Sequence, residues 1–136
     1  MRHPQAGLDD LGDDERGSAP VEFVLVGTLL TFLTLAVLQL GFTVYVRNVV
    51  HDAAVEGAYH AALADTTLAQ GAERAQQVVE RAVGDGYVTE VQVVEEQSGG
   101  QPVIRVTMQA TLPLVGLLGV PRGMEVQAYA PAESFD

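Results

Sequence analysis

Phe23 to Val46 reads FVLVGTLLTFLTLAVLQLGFTVYV, and nothing in it carries a charge. Gln39 is its most polar member. At ~1.5 Å per residue this run of about 24 residues reaches ~36 Å, enough to cross a ~30 Å hydrocarbon core with some tilt. A helix buried in a soluble domain is seldom so long and so apolar on every side. The run therefore predicts one membrane-spanning helix. A cleaved secretory signal fits poorly, because such a signal has a positive leader, a shorter apolar stretch and a small-residue cleavage site after it. Here the leader holds Asp9, Asp10, Asp13, Asp14 and Glu15 against Arg2 and Arg16, and the run passes straight into Tyr45-Val46-Arg47. Two arginines before the span and one after it tilt the orientation toward a cytoplasmic N-terminus.

The anchor occupies a large part of a chain of 136 residues, so the remainder can bury only a modest core. The net charge is −11, and the seven cationic residues are all arginines. That balance speaks against nucleic acid as a partner, since phosphate binding needs clustered cations. It also speaks against long-range attraction to an anionic membrane surface. With no cysteine in the chain, disulfides, thiolate chemistry and cysteine zinc sites are excluded.

The residues that lead into the span are Arg16-Gly17-Ser18-Ala19-Pro20-Val21-Glu22-Phe23. A carboxylate at the lip of an apolar run is costly and is usually there for function. Helix chemistry offers a plain account: Ser18 as N-cap, Pro20 in the first turn, Glu22 at the positive helix end. Spacing offers another. A cut after Gly17 would make Ser18 the first residue and Glu22 the fifth, with Phe23 next. This resembles the type IV prepilin processing signal, and the Glu-Phe pair resembles its tight-adherence (Flp) branch. The stretch GSAPVEFVLVGTLLTFLTLAVLQLGFTVYVRNVVHDAAVEGAYHAA, with its Tyr45-x-Arg47 exit and Asp52-Ala53-Ala54-x-Glu56-Gly57-Ala58, is similar to the TadE-like family of pseudopilins. The leader is longer and more acidic than a minimal prepilin leader.

The resemblance implies a processing site at Gly17 and Ser18, cut by a prepilin peptidase. It also implies that Glu22, followed by Phe23, pairs with the free amine of a neighbouring subunit's first residue during assembly. The partners it implies are that peptidase, other pilin or pseudopilin subunits and the inner (cytoplasmic) membrane. The chain would be a single-pass protein of the cell membrane, or part of an extracellular pilus once processed. Its segments would be a cytoplasmic leader 1–17, a transmembrane helix 18–46 and an extracytoplasmic domain 47–136. The alternative is an unprocessed, membrane-anchored accessory subunit of a secretion or envelope complex.

Beyond Arg47, Val50, Ala53, Ala54, Gly57, Ala58, Ala61 and Ala62 recur at three- and four-residue steps, with Asn48, Asp52, Glu56 and His60 on the opposite face. One helix over about 18–64 is expected, its Ala/Gly seam serving as core within the chain or as an oligomer face. Asp65-Thr66-Thr67 interrupts it. Thr67-x-x-Gln70 has capping-box spacing, and a second helix follows with Leu68, Ala72, Ala75, Val79 and Ala82 on one face. Gly84-Asp85-Gly86 ends it. Three strands are predicted: Val88 to Glu95, Val103 to Leu112 and a last one around Met124 to Ala130. The second and third alternate, with Ile104, Val106, Met108, Ala110, Leu112 and then Met124, Val126, Ala128, Ala130 to one side. The segment 112–121 between them reads as an apolar linker, a cap on the core or a contact patch for a partner or the lipid surface. The fold class is α+β: a long transmembrane helix continuing as an amphipathic helix, a second helix, and a small antiparallel sheet of about three strands. The resemblance makes this a type IV pilin-like arrangement.

No enzyme is expected. The serines (Ser18, Ser98, Ser134) and histidines (His3, His51, His60) form no G-x-S-x-G context, and no phosphate loop is present. Asp52, Glu56 and His60 share a helix face but spread over about two turns, too far apart for one ion, so neither metal nor cofactor is expected. A mild Glu56–His60 surface pair is the simpler reading.

Overall fold

The computed structural model describes residues 11–115 and 118–133, with side chains described for 17–113 and 123–133. Residues 1–10 of the expected leader lie outside them. The element order is α1 (Leu11–Ala62), α2 (Leu68–Val83), β1 (Val88–Ser98), β2 (Gln101–Val115) and β3 (Leu118–Pro131). The strands form one antiparallel sheet in the order β1-β2-β3. The chain separates into two compact units, Met1–Leu38 and Gln39–Asp136.

In the first unit, every described residue from Gly17 to Leu38 is exposed. The second unit holds the core. Val46, Val50, Ala53, Ala54, Ala58, Ala61 and Ala62 of α1 are buried together with Ala75 and Val79 of α2. The inner sheet face closes over them. Ile104, Val106, Met108 and Ala110 lie opposite Ala130, Ala128, Val126 and Met124 in register, and all eight are buried. The alternation of the last two strands thus does what it predicts, while Arg105, Thr107, Gln109, Glu125, Gln127 and Tyr129 face outward.

The Ala/Gly seam of α1 is intramolecular core. A Cβ placed on Gly57 would meet the Ala75 Cβ at 2.7 Å and the Gly71 carbonyl at 2.9 Å. A Cβ on Gly71 would run into the Ala61 methyl group and would meet the Gly57 carbonyl at 2.8 Å. Two glycines facing one another let the helix backbones approach more closely than any larger pair would allow. This contact corrects the expected face of α2. Its buried residues are Gly71, Ala75 and Val79. Leu68 and Ala82 are exposed and Ala72 is only half-buried. Apolar periodicity overlooked Gly71 because a glycine has no side chain to register as hydrophobic.

The capping box forms as its spacing predicts. The Gln70 N–H donates to Thr67 Oγ1 at 3.2 Å, and the Thr67 N–H donates to Gln70 Oε1 at 2.8 Å. At the other end of α2 the Gly84 N–H donates to the Glu80 carbonyl at 3.0 Å. Gly99 and Gly100 make the two-residue turn between β1 and β2 with φ of 60° and 81°. Two successive residues with positive φ match the twist of a hairpin, and glycine adopts them without a Cβ penalty.

Two expectations are revised. The segment 112–121 is no irregular linker: β2 and β3 continue through most of it, pairing Leu112 with Val120 and Pro113 with Gly119. Pro113 closes no helix or loop, because a proline at the end of a hairpin need donate no ladder bond. The Glu56–His60 pair is replaced. The Arg74 Nε–H donates to Glu56 Oε1 at 2.7 Å, so the carboxylate turns toward the cation that α2 brings across.

The junction and anchor helix as the candidate functional site

Gly17, Ser18, Glu22 and Phe23 all lie inside α1 and are all exposed. Ser18 and Glu22 stand four apart, on one face of the helix. Phe23 is 80% exposed, an uncommon state for a phenylalanine in water. The expected N-cap role of Ser18 is overturned. The helix starts at Leu11, and Pro20 sits inside it instead of in its first turn. Pro20 has no N–H to give to the carbonyl one turn back, a local weakness three residues after Gly17.

Among the described residues nothing calls for a glycine at position 17. It has no positive φ, and a Cβ there would have nothing within 4 Å. Gly27 and Gly41 are equally open. The contrast is with Gly57 and Gly71, whose lack of a side chain is demanded by contact.

Three threonines interrupt the apolar run, and each is satisfied within the helix. The hydroxyls of Thr28, Thr31 and Thr34 donate to the carbonyls of Val24, Gly27 and Leu30 at 2.7, 2.8 and 2.8 Å. A hydroxyl bonded to the preceding turn presents only its methyl group and carbon stem outward, which suits hydrocarbon surroundings. The surface around them is Phe23, Leu25, Leu29, Phe32 and Leu33, all exposed. Over Gly17–Ala62, α1 holds a stretch long and apolar enough to cross a membrane.

Sequence reasoning missed the far partner of this helix's polar end. The Gln39 amide donates to the Pro113 carbonyl at 2.6 Å. The Thr43 hydroxyl lies 2.8 Å from the same carbonyl and 2.9 Å from that of Gln39, its own i−4 residue. Gln39 stood out as the most polar residue of the run, and that was the one available signal.

Away from the anchor, an open groove of about 560 Å³ is bordered by Glu56, Tyr59, His60, Arg74 and Glu133. Its most prominent charges, Glu56 and Arg74, form an ion pair with one another. Asp52, at the other end of the helix face once weighed as a metal site, lies 3.8 Å from His51. Among the described residues no group of three or more acidic, histidine or cysteine side chains could hold a metal ion.

These features define a class: an α+β protein whose N-terminal apolar helix is a candidate membrane span, consistent with single-pass anchoring. Residues 17–58 match the family model of TadE-like proteins. The match begins at Gly17 and runs through the span into the buried seam of α1, less than half of the chain. It agrees with the resemblance read from the Gly17–Ala62 region and suggests a Tad pilus-associated protein. No curated protein and no solved structure matches the chain.

Proposed function

We propose that this protein is a non-enzymatic pseudopilin or minor pilin that contributes to assembly of a tight-adherence (Flp-type) pilus or a related secretion machinery. A prepilin peptidase removes residues 1–17, the N-terminus faces the cytoplasm, helix residues 18–46 cross the membrane, and the domain 47–136 is extracytoplasmic. The observation that carries this reading is the family match beginning at Gly17, with Glu22 and Phe23 following at the spacing of a processed pilin. The absence of any packing demand on Gly17 supports it: the residue is exposed, and its neighbours would accept a side chain. Glu22 then has a role that its exposed place on the helix does not supply. A carboxylate at the lipid boundary gains from an ammonium partner, and Ser18 of a neighbouring subunit would provide one after cleavage. Other pilin subunits and the cytoplasmic membrane are the partners.

Intact mass of the protein recovered from membranes tests the processing step. The expected result is loss of residues 1–17 in the wild type and retention in Gly17→Val. A full-length wild-type mass would overturn it. For assembly, Glu22→Ala is expected to insert normally but to appear several-fold less in the sheared pilus fraction. Equal incorporation would remove the pairing role.

One observation favours a second reading, an unprocessed accessory subunit. α1 runs unbroken through Gly17 and Ser18, and a peptidase needs the scissile backbone extended. The same mass measurement separates the two.

A further inference from the structure

Three chain segments meet at one end of the Gln39–Asp136 unit. The first is the close of the uncharged run, Gln39 to Val46. The second is the passage from α2 into β1, where the Tyr45 hydroxyl reaches the Ala82 carbonyl at 3.4 Å. Phe42 there stacks near Tyr45, with centroids 6.4 Å apart, and meets Tyr87 edge-on at 6.5 Å. The third is the end of the β2–β3 hairpin, tied in by the Thr111 N–H to the Tyr87 carbonyl at 2.7 Å and by the Pro113 carbonyl to Gln39 and Thr43.

The geometry points to this end as a lipid-seated floor: Gln39, Phe42, Thr43, Tyr45 and Tyr87 rest in the interface of a phospholipid bilayer, with Pro113 buried behind them. The inference rests on α1 being the membrane anchor and goes beyond it, because it places residues far from the anchor in sequence against lipid. About 20 residues counted from Phe23 fill a hydrocarbon core and reach Phe42, so the outer boundary falls on these residues. Phe42 and Tyr45 remain 37% and 49% exposed. Phenolic rings favour this depth, with the ring in the acyl boundary and the hydroxyl in the headgroups.

The polar groups are arranged for the same depth. An amide in hydrocarbon must keep its partner, and the Gln39 donor has one in the Pro113 carbonyl. That carbonyl serves both Gln39 and Thr43, and Pro113 has no N–H left to satisfy. The paired strand ends beside it, Leu112-Pro113 and Leu118-Gly119-Val120, carry no charge. The charges that flank the floor in sequence are Arg47, Arg81, Arg122 and Asp85, of both signs, and Arg47, Arg81 and Asp85 are exposed. The floor residues themselves carry no charge, so the seating is apolar and does not depend on anionic lipid. Asp85, two residues before Tyr87, limits the depth to the headgroup level.

The chain has no tryptophan, so single substitutions give clean reporters. Full-length Tyr87→Trp, Tyr59→Trp and Phe32→Trp are reconstituted in phosphatidylcholine vesicles with bromines placed shallow or deep on the acyl chains. Phe32→Trp reports the anchor and Tyr59→Trp the opposite end of the Gln39–Asp136 unit. The expected result is a blue-shifted Tyr87→Trp emission, quenched by shallow bromines several-fold more than Tyr59→Trp and unchanged by added anionic lipid. Water-like emission from Tyr87→Trp beside deep quenching of Phe32→Trp overturns the floor and leaves the anchor standing. If Phe32→Trp is also unquenched, the anchor reading falls with it. Quenching that appears only with anionic lipid overturns the apolar seating. Should Tyr87→Trp lose its fold by circular dichroism, Asp85→Cys in the cysteine-free chain, carrying a polarity-sensitive dye, repeats the measurement: a headgroup-like signal supports the floor and a bulk-water signal overturns it.

Discussion

α1 is apolar along most of its length, yet its two parts are apolar in different ways. From Phe23 to Leu38 most residues are large and apolar, and they are exposed on every side. From Val46 to Ala62 the inward residues are small and buried, with Gly57 set against Gly71 and Ala75. Size is the difference that matters. A large apolar surface left open seeks a solvent that has no hydrogen bonds to lose, whereas a small apolar surface permits another helix to come near and exclude water itself. The first part is matched to lipid and the second to protein, although one hydrogen-bonded helix carries both.

Mutations break this comparison most sharply at the close contact. Gly57→Leu forces a side chain into the Ala75 methyl group and the Gly71 carbonyl, and overpacking of this kind costs about 3 kcal/mol or more. Chemical unfolding of the full chain in detergent, followed by its strand signal, is expected to show a correspondingly lower midpoint while membrane insertion is unchanged. At an intermediate scale, Thr67→Ala removes the side-chain half of the α2 capping box and should lower stability by ~1 kcal/mol in the same assay. The smallest effect is expected in the lipid-matched part. Leu30→Ala should leave the unfolding midpoint of the Gln39–Asp136 unit within about 0.5 kcal/mol of wild type. Its effect should appear instead as slightly weaker membrane insertion. A large loss of stability from Leu30→Ala would mean that this surface packs on protein and that the contrast between the two parts is false.

The legible features were those governed by nearest-neighbour pattern. The uncharged run marked the candidate membrane span because length and composition alone decide whether a segment suits lipid. Strict alternation identified the inner sheet face at Ile104 to Ala110 and Met124 to Ala130. Thr67 and Gln70 were legible as a cap since both halves of that motif lie within one turn. The candidate site at Gly17, Ser18, Glu22 and Phe23 rests on local spacing alone, and residues 17–58 match the TadE-like family model. The helix start was less so: Ser18 and Pro20 looked like a first turn, but α1 continues back to Leu11.

What the sequence determined by itself was therefore the set of local elements and which of their faces avoid water: a candidate membrane span, a small-residue seam and an alternating sheet. The tertiary structure decided which distant groups meet. Glu56 could have faced His60 on its own helix, but α2 supplies Arg74. The α2 face turned to Gly71, where the helix backbones approach most closely. Gln39 found its acceptor at Pro113, 74 residues away. Each of these depends on the packing of separate elements, and periodicity within one element contains no term for the partner it will reach.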